Sequence, residues 1–309
     1  MSELLKLRPV FKDYLWGGTE LKKEFCVDYL SIVAEAWMLS THPDGQSMVV
    51  GGKYDGKTLC EALSLMDGAL GKNCEKFENF PQLIKLIDAA DRLSVQVHPS
   101  DDYALEHEKQ YGKTEMWYIL NAEKGAGIYY GLKSDITKEE FERHIKENTL
   151  TDALNFIEVK KGESYFIPAG TIHAIGKGLL IAEIQQNSNA TYRIFDYGRT
   201  DKFGNQRELH IEKAKAVSVL SVSDVSGIIK ADNLLERTLV SSKYFTVSEI
   251  NVCDTFTHYN ADSFACVIVL DGNGTLNDFT TKKYDTFFIP ADVTANFSGT
   301  MKLLVSYVK

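Results

Sequence analysis

The stretch SVQVHPSDDYALEHEKQYGKTEMW, residues 94–117, sets Gln96 and His98 two positions apart in an apolar run and then places Glu115 against Met116, Trp117 and Tyr118. On a β-strand, residues two apart share a face, so Ser94, Gln96 and His98 should point into one cavity. His173 follows a Pro-Ala-Gly turn farther along, in PAGTIH. Two imidazoles and a carboxylate from neighbouring strands are the usual composition of a catalytic zinc site with an open position, and the amide oxygen of Gln96 can add a weaker ligand. A cation would also explain how an anionic Glu115 tolerates aromatic neighbours, because a buried charge is costly without a partner. The competing readings are an internal hydrogen-bond network for the histidines and a surface carboxylate ending a loop for Glu115. The period-2 spacing and the aromatic run favour the metal. His42, His107, His144, His210 and His258 lack such company and are expected to be hydrogen-bonded core histidines.

Holding these groups requires a rigid β scaffold, and the chain supplies short strand-like runs: EMWYIL, ESYFIP, LLIAEI, YFTVSEI, FACVIVL, TFFIP and MKLLVSYV. Separated by Gly, Asn and Asp turns, they predict a mainly β sandwich or barrel with helical decoration. Helical spacing is read in LCEALSLMDGALG (59–71), NFPQLIKLIDAADR (79–92) and DITKEEFERHIKENTLTDALNF (135–156). In the last, Thr137 with Glu140 three residues on makes a capping-box pattern. An internal echo organises the strands. KKGESYFIPAGTIHAIGKGLLIAE (160–183) lines up without gaps on KKYDTFFIPADVTANFSGTMKLLV (282–305), and EMWYILNAEKGAG (115–127) on ACVIVLDGNGTLN (265–277). The chain therefore reads as two β units in tandem. Glu115 falls opposite Ala265, His173 opposite Ala295 and Glu183 opposite Val305, so the polar groups belong to one copy only and serve a task other than folding. The interval between Glu115 and His173 is 58 residues against 30 in the second copy, an excess supplied mostly by a helical insertion at about 132–158.

Composition excludes several function classes. The net charge of −9, from 43 acids and 34 bases with no basic block, gives no support to a nucleic-acid or anionic-membrane partner. MSELLKLRPVFKDYLWGG lacks the apolar core of a signal peptide, and no run approaches a membrane span, so the cytoplasm is the expected location. The five scattered cysteines, Cys26, Cys60, Cys74, Cys253 and Cys266, lack paired spacing and are expected to be buried thiols. GGTEL and GKGLL lack the strand-turn-helix glycine spacing of a dinucleotide site.

The blocks QVHPSDD, GKTEMWYIL, PAGTIHAIGKG, AEIQQNSNATYRIFDYGR, YLWGGTEL and EAWMLSTHPDG together resemble type I mannose-6-phosphate isomerases of the shorter bacterial form, over nearly all of residues 8–210. The resemblance implies two cupin (jelly-roll) units, with a catalytic metal-binding domain over 1–235 and a degenerate cupin-like domain without metal ligands over 236–309. It implies one Zn²⁺ per chain held by Gln96, His98, Glu115 and His173, and interconversion of mannose 6-phosphate and fructose 6-phosphate. The family's active-site lysine matches Lys113, its active-site arginine matches Arg193, and a serine facing the sugar phosphate matches Ser94. Larger relatives carry longer helical and C-terminal regions, which leaves the phosphate contacts least defined; Arg199 and Lys177 could assist there or be solvated surface residues.

Aldose-ketose isomerisation moves protons between C1 and C2 and among the adjoining oxygens, and it needs a Lewis acid or its equivalent for the enediolate. The candidates for proton handling are Glu183, Lys113 and water on the metal, with Lys113 serving either as a proton carrier or as a fixed counter-charge. Arg193 is better suited to electrostatic stabilisation, since a guanidinium stays protonated. The expected partner is a small phosphosugar, and the expected state is a monomer or a weak dimer. The rival readings are a cupin isomerase or epimerase of another phosphosugar, a non-catalytic sugar-phosphate-binding regulatory cupin, and an iron-dependent cupin oxygenase.

Overall fold

A computed structural model describes residues 3–200, 204–225, 228–232 and 234–309. Among these the strands are β1 (Leu5–Arg8), β2 (Val10–Lys12), β3 (Glu35–Leu39), β4 (Met48–Val50), β5 (Gln82–Ala89), β6 (Val95–Val97), β7 (Glu115–Ala122), β8 (Gly127–Leu132), β9 (Leu154–Glu158), β10 (Ser164–Ile167), β11 (His173–Ile175), β12 (Leu179–Gln186), β13 (Tyr192–Phe195), β14 (Glu236–Ser241), β15 (Thr246–His258), β16 (Ala265–Leu276), β17 (Phe279–Thr281), β18 (Thr286–Ile289) and β19 (Ala295–Tyr307). The helices are short: α1 (Glu20–Glu24), α2 (Leu59–Leu63), α3 (Asp101–His107), α4 (Lys138–Lys146), α5 (Leu150–Ala153) and α6 (Ile211–Val217). The protein is mainly β, as its runs of β-branched and aromatic residues require.

The chain divides into two compact units, one of Met1–Val10, Trp37–Lys85 and Asp232–Lys309 and the other of Phe11–Ala36 and Leu86–Ala231. They are called here the C-terminal unit and the histidine unit. The stretch 236–309 lies wholly inside the C-terminal unit, whereas 1–235 is shared between the two.

The histidine unit is layered. A six-stranded sheet runs β10-β7-β12-β5-β3-β2, with β3 and β5 contributing Glu35–Ala36 and Leu86–Ala89, and a five-stranded sheet runs β13-β6-β11-β8-β9. Trp117, Ile119, Tyr165, Ile167 and Ile181 from the first sheet share one buried cluster with Ile128 and Ile175 from the second. The opposite face of the five-stranded sheet, formed by Val95, Val97, Ala174, Tyr192 and Ile194, packs against Phe141 of α4, Leu150 of α5 and Ala214 of α6. Burying a side chain such as Phe141 completely contributes roughly 1.5–3 kcal/mol. Alternation then settles the direction of the intervening residues: with Val95 and Val97 against the helices, Gln96 faces the inner layer. The helical insertion thus covers the outer side of the sheet that carries Gln96 and His173.

The C-terminal unit holds an eight-stranded sheet in the order β14-β15-β19-β16-β18-β1-β4, with β17 paired to β16. Its core includes Ala265, Val267, Val269, Phe287, Ile289, Ala295, Leu303 and Val305. The strand trio β18-β16-β19 repeats the pairing of β10-β7-β12. Glu115 faces Ile167 and Gln185, and Ala265 faces Ile289 and Tyr307. The turns match as well: Ile119 N–H donates to Glu163 O at 3.0 Å and Val269 N–H to Asp285 O at 3.0 Å. Lys160 N–H donates to the Glu163 carboxylate at 2.9 Å, and Lys282 N–H to that of Asp285 at 3.0 Å. Even the left-handed backbone recurs, at Gly162 (φ 87°) and Tyr284 (φ 65°).

Several local expectations need correction. Residues 79–92 contain strand β5 rather than a helix, because QLIKLIDA is buried along its whole length, and a short run apolar on both faces reads the same in either period. Its polar members are internal: the Lys85 ammonium lies 5.0 Å from the Trp37 ring centroid, and Asp88 accepts from Glu20 and Leu21 N–H at 2.7 and 3.3 Å. Within 59–71 only Leu59–Leu63 is helical. The helix expected over 135–156 is α4 and α5 followed by β9, with Asn148 between the helices in a left-handed conformation (φ 56°). Its predicted capping box is present, Thr137 Oγ1 accepting from Glu140 N–H at 3.1 Å and the Glu140 carboxylate from Thr137 N–H at 2.8 Å. All five cysteines are free, but only Cys74 and Cys266 are buried; Cys26, Cys60 and Cys253 are exposed.

Candidate metal centre

The inner face of the five-stranded sheet presents Arg193, Gln96, His173 and Tyr130 in one row across β13, β6, β11 and β8, each directly opposite the next. Directly opposed residues project to the same side of a sheet. His98 lies one residue beyond β6, and Glu115 opens β7 on the other sheet. His98, Glu115 and His173 are all buried and bring their ligand atoms within 4.8 Å of one another. Glu115 Oε2 is 3.4 Å from His98 Nε2, and Glu115 Oε1 is 3.3 Å from His173 Nε2. Metal–ligand bonds near 2.0–2.1 Å in a tetrahedron place neighbouring donor atoms about 3.3 Å apart.

The imidazole tautomers follow from backbone contacts. His98 Nδ1 lies 2.9 Å from Ala190 O and His173 Nδ1 lies 2.8 Å from Thr171 O. A carbonyl only accepts, so each Nδ1 carries the hydrogen and each Nε2 presents a lone pair. Burial first, and then the Lys113 ammonium, push the His98 imidazole down to about 4, and burial lowers His173 as well, so both rings are neutral. Burial alone would raise the Glu115 carboxyl, but the Lys113 ammonium beside it holds it well below the usual carboxylate range. Two lone pairs therefore face a buried carboxylate, and both Glu115 oxygens and His173 Nε2 lack hydrogen-bond partners. Acceptors facing acceptors in a dry interior repel unless a cation lies between them. The donor set fits a divalent ion such as zinc.

The proton-bearing groups adjoin this trio. Lys113 Nζ is 2.7 Å from Glu115 Oε2, close as an ion pair though not aligned as a hydrogen bond, and 3.1 Å from His98 Nε2. It also stands 3.7 Å from Glu183 Oε1, whose other oxygen accepts from the Trp117 indole N–H at 2.9 Å. The Trp117 ring meets His173 edge-on at 5.4 Å between centroids.

The profile for "Phosphomannose isomerase type I, catalytic domain" matches residues 4–131, and that for "Mannose-6-phosphate isomerase, cupin domain" matches residues 236–308. A mannose-6-phosphate isomerase of Streptococcus mutans is 37% identical over 99% of this chain and 99% of its own length. The chain belongs to the type I phosphomannose isomerase family. Mannose-6-phosphate isomerase ManA of Bacillus subtilis is 37% identical, covering 94% of this chain and 93% of its own. The crystal structure of the mannose 6-phosphate isomerase from Bacillus subtilis superimposes with a TM-score of 0.90 at 36% identity, over 99% of this chain and 100% of that one.

Within this phosphomannose isomerase, the remaining residues singled out from sequence are placed as follows. Ser94 is buried just before β6. Gln96 is half-buried beside His173 in the row described above. Arg193 donates through Nη1 to Glu208 O at 2.8 Å, and its buried Nε has no hydrogen-bond partner. Arg199 is paired with Asp196, which also binds Arg207 at 2.6 Å, while Lys177 is exposed. Of the other histidines, His42, His144 and His210 make hydrogen bonds; the His107 side chain is 44% exposed, and His258 Nε2 is buried without a partner. Sequence reasoning missed Trp117 as a donor to Glu183, although its position two residues after Glu115 puts it on the same face. It also missed Gln186 and Thr114, which share a 2.8 Å hydrogen bond at the edge of the site.

Proposed function

We propose that this phosphomannose isomerase interconverts mannose 6-phosphate and fructose 6-phosphate by proton transfer through an enediolate, with one Zn²⁺ held by His98, Glu115 and His173 and, more weakly, by Gln96. The observation that carries this reading is the convergence of the His98, Glu115 and His173 ligand atoms in a buried cluster, where His173 Nε2 and both Glu115 oxygens lack hydrogen-bond partners. When bound, the ion supplies Lewis-acid stabilisation of sugar oxygens as they gain negative charge.

The chain's own groups do the rest. Lys113 and Glu183 stand 3.7 Å apart beside the ligand trio, a cation next to a carboxylate, and on this reading they carry protons between O1, O2 and the adjoining carbons. Trp117 fixes the Glu183 carboxylate through its indole N–H, leaving Oε1 nearest the lysine. Arg193 supplies a permanent positive charge from the row that contains Gln96 and His173. Ser94 faces the phosphosugar on this reading. The catalytic domain is 1–235, and 236–309 is a degenerate cupin whose aligned positions carry Ala265, Ala295 and Val305 in place of Glu115, His173 and Glu183. The test is a coupled isomerase assay on chelated protein followed by titration with zinc. Turnover that returns with about one equivalent supports the reading. Full turnover by metal-free protein, or oxygen uptake with iron in place of isomerisation, refutes it.

A further inference from the structure

Lys113 lies in the loop between α3 and β7, and the backbone on both sides of it is held by two polar side chains with no place in the chemistry above. Gln186, at the end of β12, is 3% exposed. Its Oε1 accepts from Thr114 N–H at 2.8 Å, and its Nε2 donates to Asp101 Oδ1 at 2.8 Å. The same Asp101 oxygen accepts from Gly112 N–H at 3.0 Å, while Lys113 N–H donates to Pro99 O at 3.0 Å. Three successive amide groups, 112 to 114, are thereby tied down, and Gln186 N–H returns to Thr114 O at 3.1 Å. The loop is also held tightly against the start of α3: a Cβ at Gly112 would stand 2.4 Å from the Ser100 carbonyl carbon and 2.6 Å from Asp101 N.

We infer that Gln186 and Asp101 form a clamp that positions Lys113, making them positioning residues for turnover. The uncharged amide of Gln186 accepts from Thr114 through its oxygen and donates to Asp101 through its nitrogen, so both roles are filled by one side chain. A buried relay of this kind loses its geometry when one end changes sign, and proton transfer is sensitive to displacements of a fraction of an ångström to one ångström. The inference rests on the role given to Lys113 above.

A swap of the relay tests it. Gln186→Glu places a carboxylate against Asp101 and should lower kcat by about tenfold to a hundredfold, the usual range for groups that orient catalytic side chains, with KM within about twofold and a full metal complement by elemental analysis. Asp101→Asn keeps an acceptor oxygen for Gly112 and should cost less than about threefold alone. Combined with Gln186→Glu it restores a donor facing the new carboxylate, and kcat should recover to within a few-fold of the parent. Adding Gln186→Glu to Lys113→Ala should produce no further loss. An unchanged kcat in Gln186→Glu overturns the clamp, and so does an equal fold-loss in the Lys113→Ala background or a loss traced to missing metal. If Lys113→Ala itself retains full turnover, the assignment of Lys113 fails first and the clamp has nothing to position. If Gln186→Glu alone does not fold, the double variant decides: folded, metal-replete and active supports the clamp, whereas folded, metal-replete and inactive refutes it.

Discussion

The strand trios β10-β7-β12 and β18-β16-β19 have the same pairing register and the same turn hydrogen bonds, yet their inner surfaces differ. Where the first carries Glu115, Trp117, Glu183 and Gln185, the second carries Ala265, Val267, Val305 and Tyr307. The second trio is buried within an apolar cluster, so this backbone needs no charge in its interior to form. Buried carboxylates weaken a fold unless they are matched, and of the two trios only the first carries them within its strands, at Glu115 and Glu183, which marks the place where stability gives way to chemistry.

The comparison breaks most readily at the ligands. His98→Ala or His173→Ala should remove the bound ion and lower kcat/KM by at least about a thousandfold, since the Lewis acid is worth several kcal/mol. Normal metal content and rate in either variant would reduce the polar trio to an ordinary hydrogen-bond network. Lys113→Ala should retain the metal and lose about a hundredfold to a thousandfold in kcat, the range for a general acid or base. Metal analysis beside steady-state kinetics separates this outcome from the first. In the opposite direction, Ala265→Glu installs the Glu115 side chain at the matching position of the apolar trio. It should cost about 2 kcal/mol or more in denaturant unfolding and gain no metal, because the position aligned with His173 carries Ala295. A neutral effect would mean that the two interiors are less different than their residues suggest. Smallest is Thr137→Ala in the insertion, which has no counterpart in the C-terminal trio: loss of the cap on α4 should cost about 1 kcal/mol and leave kcat unchanged. A fall in kcat would tie the outer helices to the chemistry.

Much of this was readable from the chain. The gapless echo assigned Ile167 to Ile289 and Glu115 to Ala265, and those residues are paired strand partners in the fold. His98, Glu115 and His173 were legible because His98 shares a strand face with Gln96, and Glu115 and His173 are polar where the second copy carries Ala265 and Ala295. The strand β5 was not, since a segment buried on both faces has no polar side to reveal its period, and Lys85 and Asp88 imitated one. Gln186 and Asp101 were hidden for another reason: their partners are backbone amides, and a sequence does not show which N–H groups lack a strand to pair with. The exposure of Cys26, Cys60 and Cys253 likewise depends on tertiary placement, which a thiol's apolar character does not determine.

Both imidazoles are anchored at Nδ1 by carbonyls, of Ala190 and Thr171, that belong to connecting segments rather than to strands. An arriving cation therefore meets rings whose rotation was arrested when the polypeptide closed around them. Capture should surrender little motional freedom and proceed as a single rapid event. A drift of either connecting segment would instead turn the rings and loosen the ion's grip without touching a ligand.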